Sequence, residues 1–369
     1  MLIETVSTDD AVPGMVVAKN VYTFNNQLLV SANTPLSDRI ITRLKFYAID
    51  DIEIVKEGDD SAKRMENAKR ILSPSVNFLL HSEEVKKTIE FQKFSKAFTT
   101  FTNDFKTSLN DVFVNGKDVN TTKLLFQINS IIQESRTNLH LLDMMHCMSE
   151  YDDHTYVHSV NVALICNVFA KWLGFGEKET SLLTLSGLLH DIGKLEIPKD
   201  ILDKKGTLSE DEYKVVKTHT TKGYQLLKSK TVDDHIKYAA LMHHERCDGS
   251  GYPNRYLGRN IDKYAKIVAI ADVYDAMTCA RSYRGPLCPF EVIEFFEFEG
   301  LQKFDPAFLL TFLKGIVDSY QGTTVQLSNG KRGTLVMINK NYLSRPVINL
   351  GDGFIDLSCN PGIEIEAII

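Results

Sequence analysis

The stretch LTLSGLLHDIGK, Leu183 to Lys194, is apolar enough to form a buried helix, yet it ends in an adjacent imidazole and carboxylate, His190-Asp191. Burying that pair without partners costs several kcal/mol. A bound cation resolves the cost, because a carboxylate and a neutral imidazole are natural ligands for a divalent metal. Gly193 is expected to let the backbone turn, and Lys194 returns a positive charge to the same mouth. By itself an HD pair is a weak signal, since many such pairs merely cap helices. Its surroundings decide.

Of the ten histidines, seven fall between positions 154 and 244. His154 and His158 are spaced i, i+4 and so share one helix face. His219 lies seven residues beyond Glu212 of the capping box SEDE (209–212), near the expected end of a short helix. His243-His244 follow the apolar run YAALM, and Asp272 sits mid-helix in IVAIADVYDAM. Any one of these side chains reads as a satisfied core residue. Taken together, they point to a shared metal.

Composition sets the outer bounds. The 369 residues predict two or three domains, and 43% hydrophobic with 24% charged residues is the balance of a globular chain, not a disordered or collagen-like one. Lys plus Arg is 42 against 48 Asp plus Glu, a net charge of −6. That lends no support to binding of DNA or RNA polymers or of a membrane surface. The six cysteines are scattered without a CxxC, the N-terminus lacks a secretory pattern, and no apolar run approaches a membrane span. A cytoplasmic protein with reduced thiols is expected. No P-loop, GxGxxG or Ser/His/Asp motif competes with the metal reading.

Along the chain, residues 1–60 read as a small α+β module: a hairpin across MVVAKNVYTF and QLLVSA, a helix over LSDRIITRLKFYAI and a strand at DIEIV. Residues 61–150 read as a long-helix connector. One helix carries Val85, Ile89, Phe94, Phe98, Phe101, Phe105, Leu109 and Val112, and after VNGKDVN a second runs from Leu124 to Leu142. Such a pair suits a dimer interface or simply core. Residues 151–320 are nearly all helical in pattern, with Gly174 and Gly193 expected to end helices and Asp305-Pro306 to start one. Residues 321–369 break into short β runs with Asn329-Gly330 as a hairpin turn, a small C-terminal β module.

HDIGK (190–194), HHERCDGSGYP (243–253) and ADVYDAMTCARSYR (271–284), with DDHTYVHSVNVA (152–163) upstream, resemble the HD-GYP family of bacterial cyclic-di-GMP phosphodiesterases. The resemblance covers about 154–315 and includes an intact Gly251-Tyr252-Pro253; an HD pair alone would indicate only the wider HD superfamily. It implies a mainly α protein, an HD-type helical bundle flanked by the N-terminal α+β and C-terminal β modules.

Carried over by position, the resemblance implies that His158, His190, Asp191 and Asp272 hold one metal. Asp191 would bridge to a second held by His219, His243 and His244. Some members bind a third ion through a glutamate four residues before the first histidine. His154 stands there in this chain, so two or three ions are both compatible. Lys194, Arg281 and Arg284 would contact substrate phosphates, Asp248 would orient its loop, and Cys247 and Ala280 depart from common family residues without touching a ligand position. Imidazole-rich ligation without thiolates suits Fe or Mn, and Zn or Ni also fit. The implied activity is hydrolysis of cyclic di-GMP to linear pGpG and/or GMP by a metal-activated hydroxide, with Lys194 and Asp191 catalytic and the chain a homodimer. The alternatives are another cyclic dinucleotide such as cyclic GMP-AMP, or a weak sensor acting through the flanking modules.

Overall fold

The computed structural model describes residues 84–148, 154–204, 208–279, 287–360 and 362–369 and, nearer the N-terminus, 2–8, 10–12, 14–22, 28–30, 32, 34–36, 40, 41, 44, 49 and 51–56. The chain divides into two compact units, Met1–Val76 and Asn77–Ile369.

The first unit contains β1 (Leu2–Ser7), β2 (Val21–Tyr22), β3 (Leu28–Val30) and β4 (Asp51–Lys56). β1 pairs antiparallel with β4, from Leu2 opposite Lys56 to Ser7 opposite Asp51, and β2 pairs with β3 as a hairpin. Alternation along β4 turns Ile52 and Ile54 inward, where they meet Val17, Val30, Leu36 and Leu44. Most of the helix expected over 36–49 lies outside the described residues.

The second unit is a helical bundle. α1 (Ile89–Val114) starts at Thr88, whose hydroxyl oxygen accepts the Phe91 N–H, and buries Phe94, Phe98, Phe101, Phe105 and Leu109 as one stripe. The single helix expected from Leu124 to Leu142 is instead two, α2 (Thr121–Gln133) and α3 (Asn138–Cys147). The break is local chemistry: the Thr137 side chain accepts the His140 N–H and opens a new helix. α4 (His154–Trp172) is buried throughout 159–170 and is therefore an interior helix. Gly174, at φ 70°, turns the chain into α5 (Glu177–Leu189).

Beyond a 3-10 turn at Ile192–Glu196 come α6 (Glu210–Lys217), α7 (His219–Lys228), α8 (Asp234–Met242), α9 (Lys263–Thr278), α10 (Pro289–Phe295) and α11 (Pro306–Ser319). Ser209 and Glu212 form the expected reciprocal capping box, and Asp305 caps α11 with Pro306 at its first position. Two expectations need correction. His219 does not close α6; it opens α7, because Thr218 keeps near-helical dihedrals between the two. Nor does Gly193 end a helix: α5 stops at Leu189, and Gly193 sits inside the 3-10 turn.

The tail adds β5 (Thr324–Leu327), β6 (Arg332–Met337), β7 (Val347–Asn349), β8 (Phe354–Asp356) and β9 (Ile365–Ile368). They form one antiparallel sheet in the order β8-β7-β6-β5-β9, with Gly330 at φ 80° in the β5–β6 turn. Val325, Leu327, Leu335 and Ile348 join the same apolar cluster as the helices. Glu297 accepts from the backbone of Leu343 and Ser344, and Arg345 pairs with Glu294 at 2.7 Å. Among the described residues no helix is long and apolar enough to cross a membrane.

Phe312 sits centrally in this core, its ring 4.9 Å from Phe169, 5.2 Å from Tyr274 and 5.9 Å from Trp172. Phe312→Ala should destabilise the second unit by about 3–5 kcal/mol, because the surrounding rings cannot collapse fully into the hole. Urea unfolding monitored by circular dichroism measures the loss.

Candidate metal centre

Two helix C-termini converge on the site. His190 caps the C-terminus of α5 and His243 that of α8, so the negative ends of both helix dipoles face it and favour positive charge there. The backbone also sets the tautomers. A carbonyl can only accept, so the Nδ1–H of His190 donates to Gly187 O (2.7 Å), that of His219 to Val216 O (2.7 Å) and that of His243 to Ala239 O (2.9 Å). Each Nε2 is left as a lone-pair donor pointing inward.

Asp191 stands among them, 4% exposed. Its Oδ1 lies 3.3 Å from His219 Nε2 and 3.7 Å from His243 Nε2; its Oδ2 lies 3.3 Å from His190 Nε2 and 3.7 Å from His158 Nε2. Asp272 also straddles the site, with Oδ1 at 3.0 Å from His158 Nε2 and Oδ2 at 3.8 Å from His244 Nδ1. Two ligand sets result, His158, His190 and Asp272 on one side and Asp191, His219, His243 and His244 on the other. Within each set the ligand atoms lie within 4.8 Å of one another.

These residues fit divalent cations. His219 Nε2 and His243 Nε2 face each other at 3.3 Å with neither carrying a proton, a repulsive contact unless positive charge stands between them. His190 Nε2 and Asp191 Oδ1 are buried without a hydrogen-bond partner, which costs about 1–3 kcal/mol for each. Burial pushes His243 and His244 well below the usual imidazole range and lowers His219, keeping all three neutral. Burial would raise Asp191, but the Lys194 ammonium beside it and the facing His190 and His219 rings hold it well below the usual carboxylate range. Burial would lower His158, yet hydrogen bonds to Asp272 and Asp275 outweigh it and raise that ring to about 9. Burial would raise Asp272 too, but its hydrogen bond with His158 outweighs this and holds it well below the usual carboxylate range, so both carboxylates are ionised and the site attracts positive charge.

Lys194 reaches the same mouth, its Nζ 2.5 Å from Asp191 Oδ2. Asp248 accepts the N–H and hydroxyl of Ser250, which orders its own turn. Cys247 donates its N–H to Lys303 O, away from the ligand set. His154 opens α4, but its side chain, like Ala280, Arg281 and Arg284, lies outside the described residues.

Several functional residues escape sequence reasoning. Asp275 Oδ2 accepts the His158 Nδ1–H at 2.6 Å, which turns Nε2 toward Asp272. Its position three residues after Asp272 on α9 was the available signal. Glu245, 2% exposed, accepts the N–H of Asn254 and of Tyr256, both at 2.7 Å, and so ties the Gly251-Tyr252-Pro253 loop to the histidine pair. Arg246 donates to the His243 and Glu245 carbonyls with its guanidinium over Phe304. Gly251 packs so tightly that a Cβ there would lie 2.4 Å from His244 O. Gly193 serves contact as well: a Cβ would lie 1.9 Å from His219 O and 2.4 Å from Gly223 N.

A family profile described as the HD domain matches residues 143–308. The chain is 31% identical over 278 residues to a cyclic di-GMP phosphodiesterase of Thermotoga maritima, covering 72% of this chain and 69% of that protein. It is 43% identical over 145 residues to a 3'3'-cGAMP-specific phosphodiesterase of Vibrio cholerae, covering 39% of this chain and 34% of the relative. With a cyclic di-GMP phosphodiesterase response regulator of Xanthomonas campestris the identity is 34% over 196 residues, covering 52% and 51%. The chain thus spans a third to a half of the length of the last two relatives.

Gly193→Ala should separate the 3-10 turn from α7, move His219 and leave metal content of the purified protein near background. Asp275→Asn should fold normally but hold metal roughly 10-fold to 100-fold more weakly, since the charge that orients His158 is gone. Chelator competition reads both.

Proposed function

The chain belongs to the HD-GYP family of HD-domain proteins, and from that premise we propose that it hydrolyses phosphodiester bonds of cyclic di-GMP. The observation that carries the reading is the facing pair of unprotonated Nε2 atoms on His219 and His243, 3.3 Å apart beside Asp191. His158, His190, Asp191 and Asp272 would hold one divalent ion, and Asp191, His219, His243 and His244 a second. His154 is the candidate for a third. Fe or Mn suits a set of imidazoles and carboxylates without thiolates.

When bound, the ions supply an activated water near neutral pH and Lewis-acid charge for the attacked phosphate. The chain's own groups do the rest. Asp191 offers one carboxylate oxygen to each ligand set and so fixes their separation. Lys194 can leave Asp191 for a phosphate oxygen, matching the charge that builds there. Arg281 and Arg284 are the proposed planar phosphate contacts. The product is pGpG and/or GMP. Identity to the cGAMP-specific relative supports cyclic GMP-AMP as the second reading. A complete ligand set supports turnover over a sensor role.

The flanking segments, 1–60, 61–150 and 321–369, are proposed as regulatory, connecting and packing modules. Exposed Val114 and Phe126 on α1 and α2 support a homodimer, and the scattered cysteines support a cytoplasmic setting.

Elemental analysis of anaerobically purified protein should find about two metal ions per chain, with cyclic di-GMP cleaved faster than cyclic GMP-AMP. Bound nucleotide without product over hours would instead indicate a sensor. Asp191→Ala should abolish metal loading and turnover together, and retained turnover would refute the mechanism.

A further inference from the structure

We propose that Lys217 binds the second, uncleaved phosphate of the cyclic dinucleotide, and that the rings of Tyr213 and Tyr252 hold it in position to do so. This rests on the cyclic-dinucleotide reading above and assigns one contact within it.

Tyr213 and Lys217 are spaced i, i+4 on α6, so they share a face. The Lys217 ammonium lies 4.5 Å from the Tyr213 ring centre and 5.7 Å from that of Tyr252. Tyr252 in turn packs on the metal-site imidazoles, its ring 4.6 Å from His244 and 6.5 Å from His219. The ammonium therefore stands one aromatic ring beyond the ligand set, on the rim.

Its partners differ from those of neighbouring lysines. Lys194 pairs with Asp191, Lys204 with Glu212 and Lys214 with Asp211. The Lys217 ammonium has no ion pair or hydrogen bond among the described residues, only two ring faces. Ring faces hold a cation weakly and leave its N–H groups available to an anion. Tyr213 is 48% exposed, so the rim is open to solvent.

A cyclic dinucleotide carries two phosphodiesters on one closed ring. With one of them at the His and Asp cluster, the other is held away from it and requires positive charge elsewhere. Lys217 supplies that charge at the rim. Tyr213 acts through Lys217, as a positioning residue.

The test compares KM for cyclic di-GMP with KM for bis(p-nitrophenyl) phosphate, a diester with a single phosphate, in metal-loaded full-length protein. Lys217→Met should raise the first selectively, so that the ratio of the two climbs roughly 10-fold to 100-fold, the worth of one charge-assisted contact. Metal content should match wild type, and Lys217→Arg should recover most of the ratio. Tyr213→Leu should shift the ratio in the same direction, with Tyr213→Phe nearer wild type because the ring is kept. An unchanged ratio, an equal rise for both substrates, or loss of metal in Lys217→Met would overturn the assignment alone. Wild-type protein that cleaves the chromogenic diester but no cyclic dinucleotide would overturn the parent reading, and this one with it.

Discussion

Asp191 is a buried, ionised carboxylate faced from both sides by imidazole nitrogens that cannot bond to one another. That arrangement is the constraint around which the second unit is organised. Three histidines, His190, His219 and His243, have their Nδ1–H engaged by backbone carbonyls, which leaves their Nε2 lone pairs facing no protein donor, while Asp275 holds the Nδ1–H of His158. A fold that only minimised its own energy would fill such a position with apolar side chains, because buried charges rarely repay their desolvation. Cation binding reverses that balance, since the same lone pairs and carboxylates become its coordination shell.

Holding the cluster requires rigid surroundings, and the chain supplies them through close backbone contact. The 3-10 turn after His190-Asp191 lies directly on the start of α7, a contact only glycine at 193 permits. The loop through Gly251 is fastened on the His243–His244 backbone by Glu245, whose two oxygens each take an N–H. Apolar packing around α4 and α9 keeps the helices from sliding. Site and core are therefore one cooperative structure, and the C-terminal sheet shares that core through Val325, Leu335 and Ile348.

Several features were legible in the chain because they depend on neighbours a few residues apart. The Ser209–Glu212 capping box, the Asp305-Pro306 start, the Asn329-Gly330 hairpin and the apolar stripe of α1 all follow from local periodicity and turn chemistry. Other features were not. Thr137 restarting a helix competes with an unbroken apolar pattern that looks continuous from Leu124 to Leu142. Asp275 shows only its three-residue step from Asp272 and Glu245 no spacing of its own, and their roles depend on partners 117 and nine to eleven residues away. The proximity of Lys217 to Tyr252 is equally invisible, since the two come from different segments.

The amino-acid sequence alone determined the helical class, the two β-containing ends and the inventory of His and Asp candidates, because residue type and short-range spacing specify secondary structure and ligand chemistry. Only the tertiary structure decided which nitrogen of each histidine faces inward, that Asp191 presents one oxygen to each ligand set, and that glycine 193, inside its 3-10 turn, also permits close contact with α7. Those outcomes arise from through-space distances between distant segments, set by packing and backbone hydrogen bonds that no local pattern encodes.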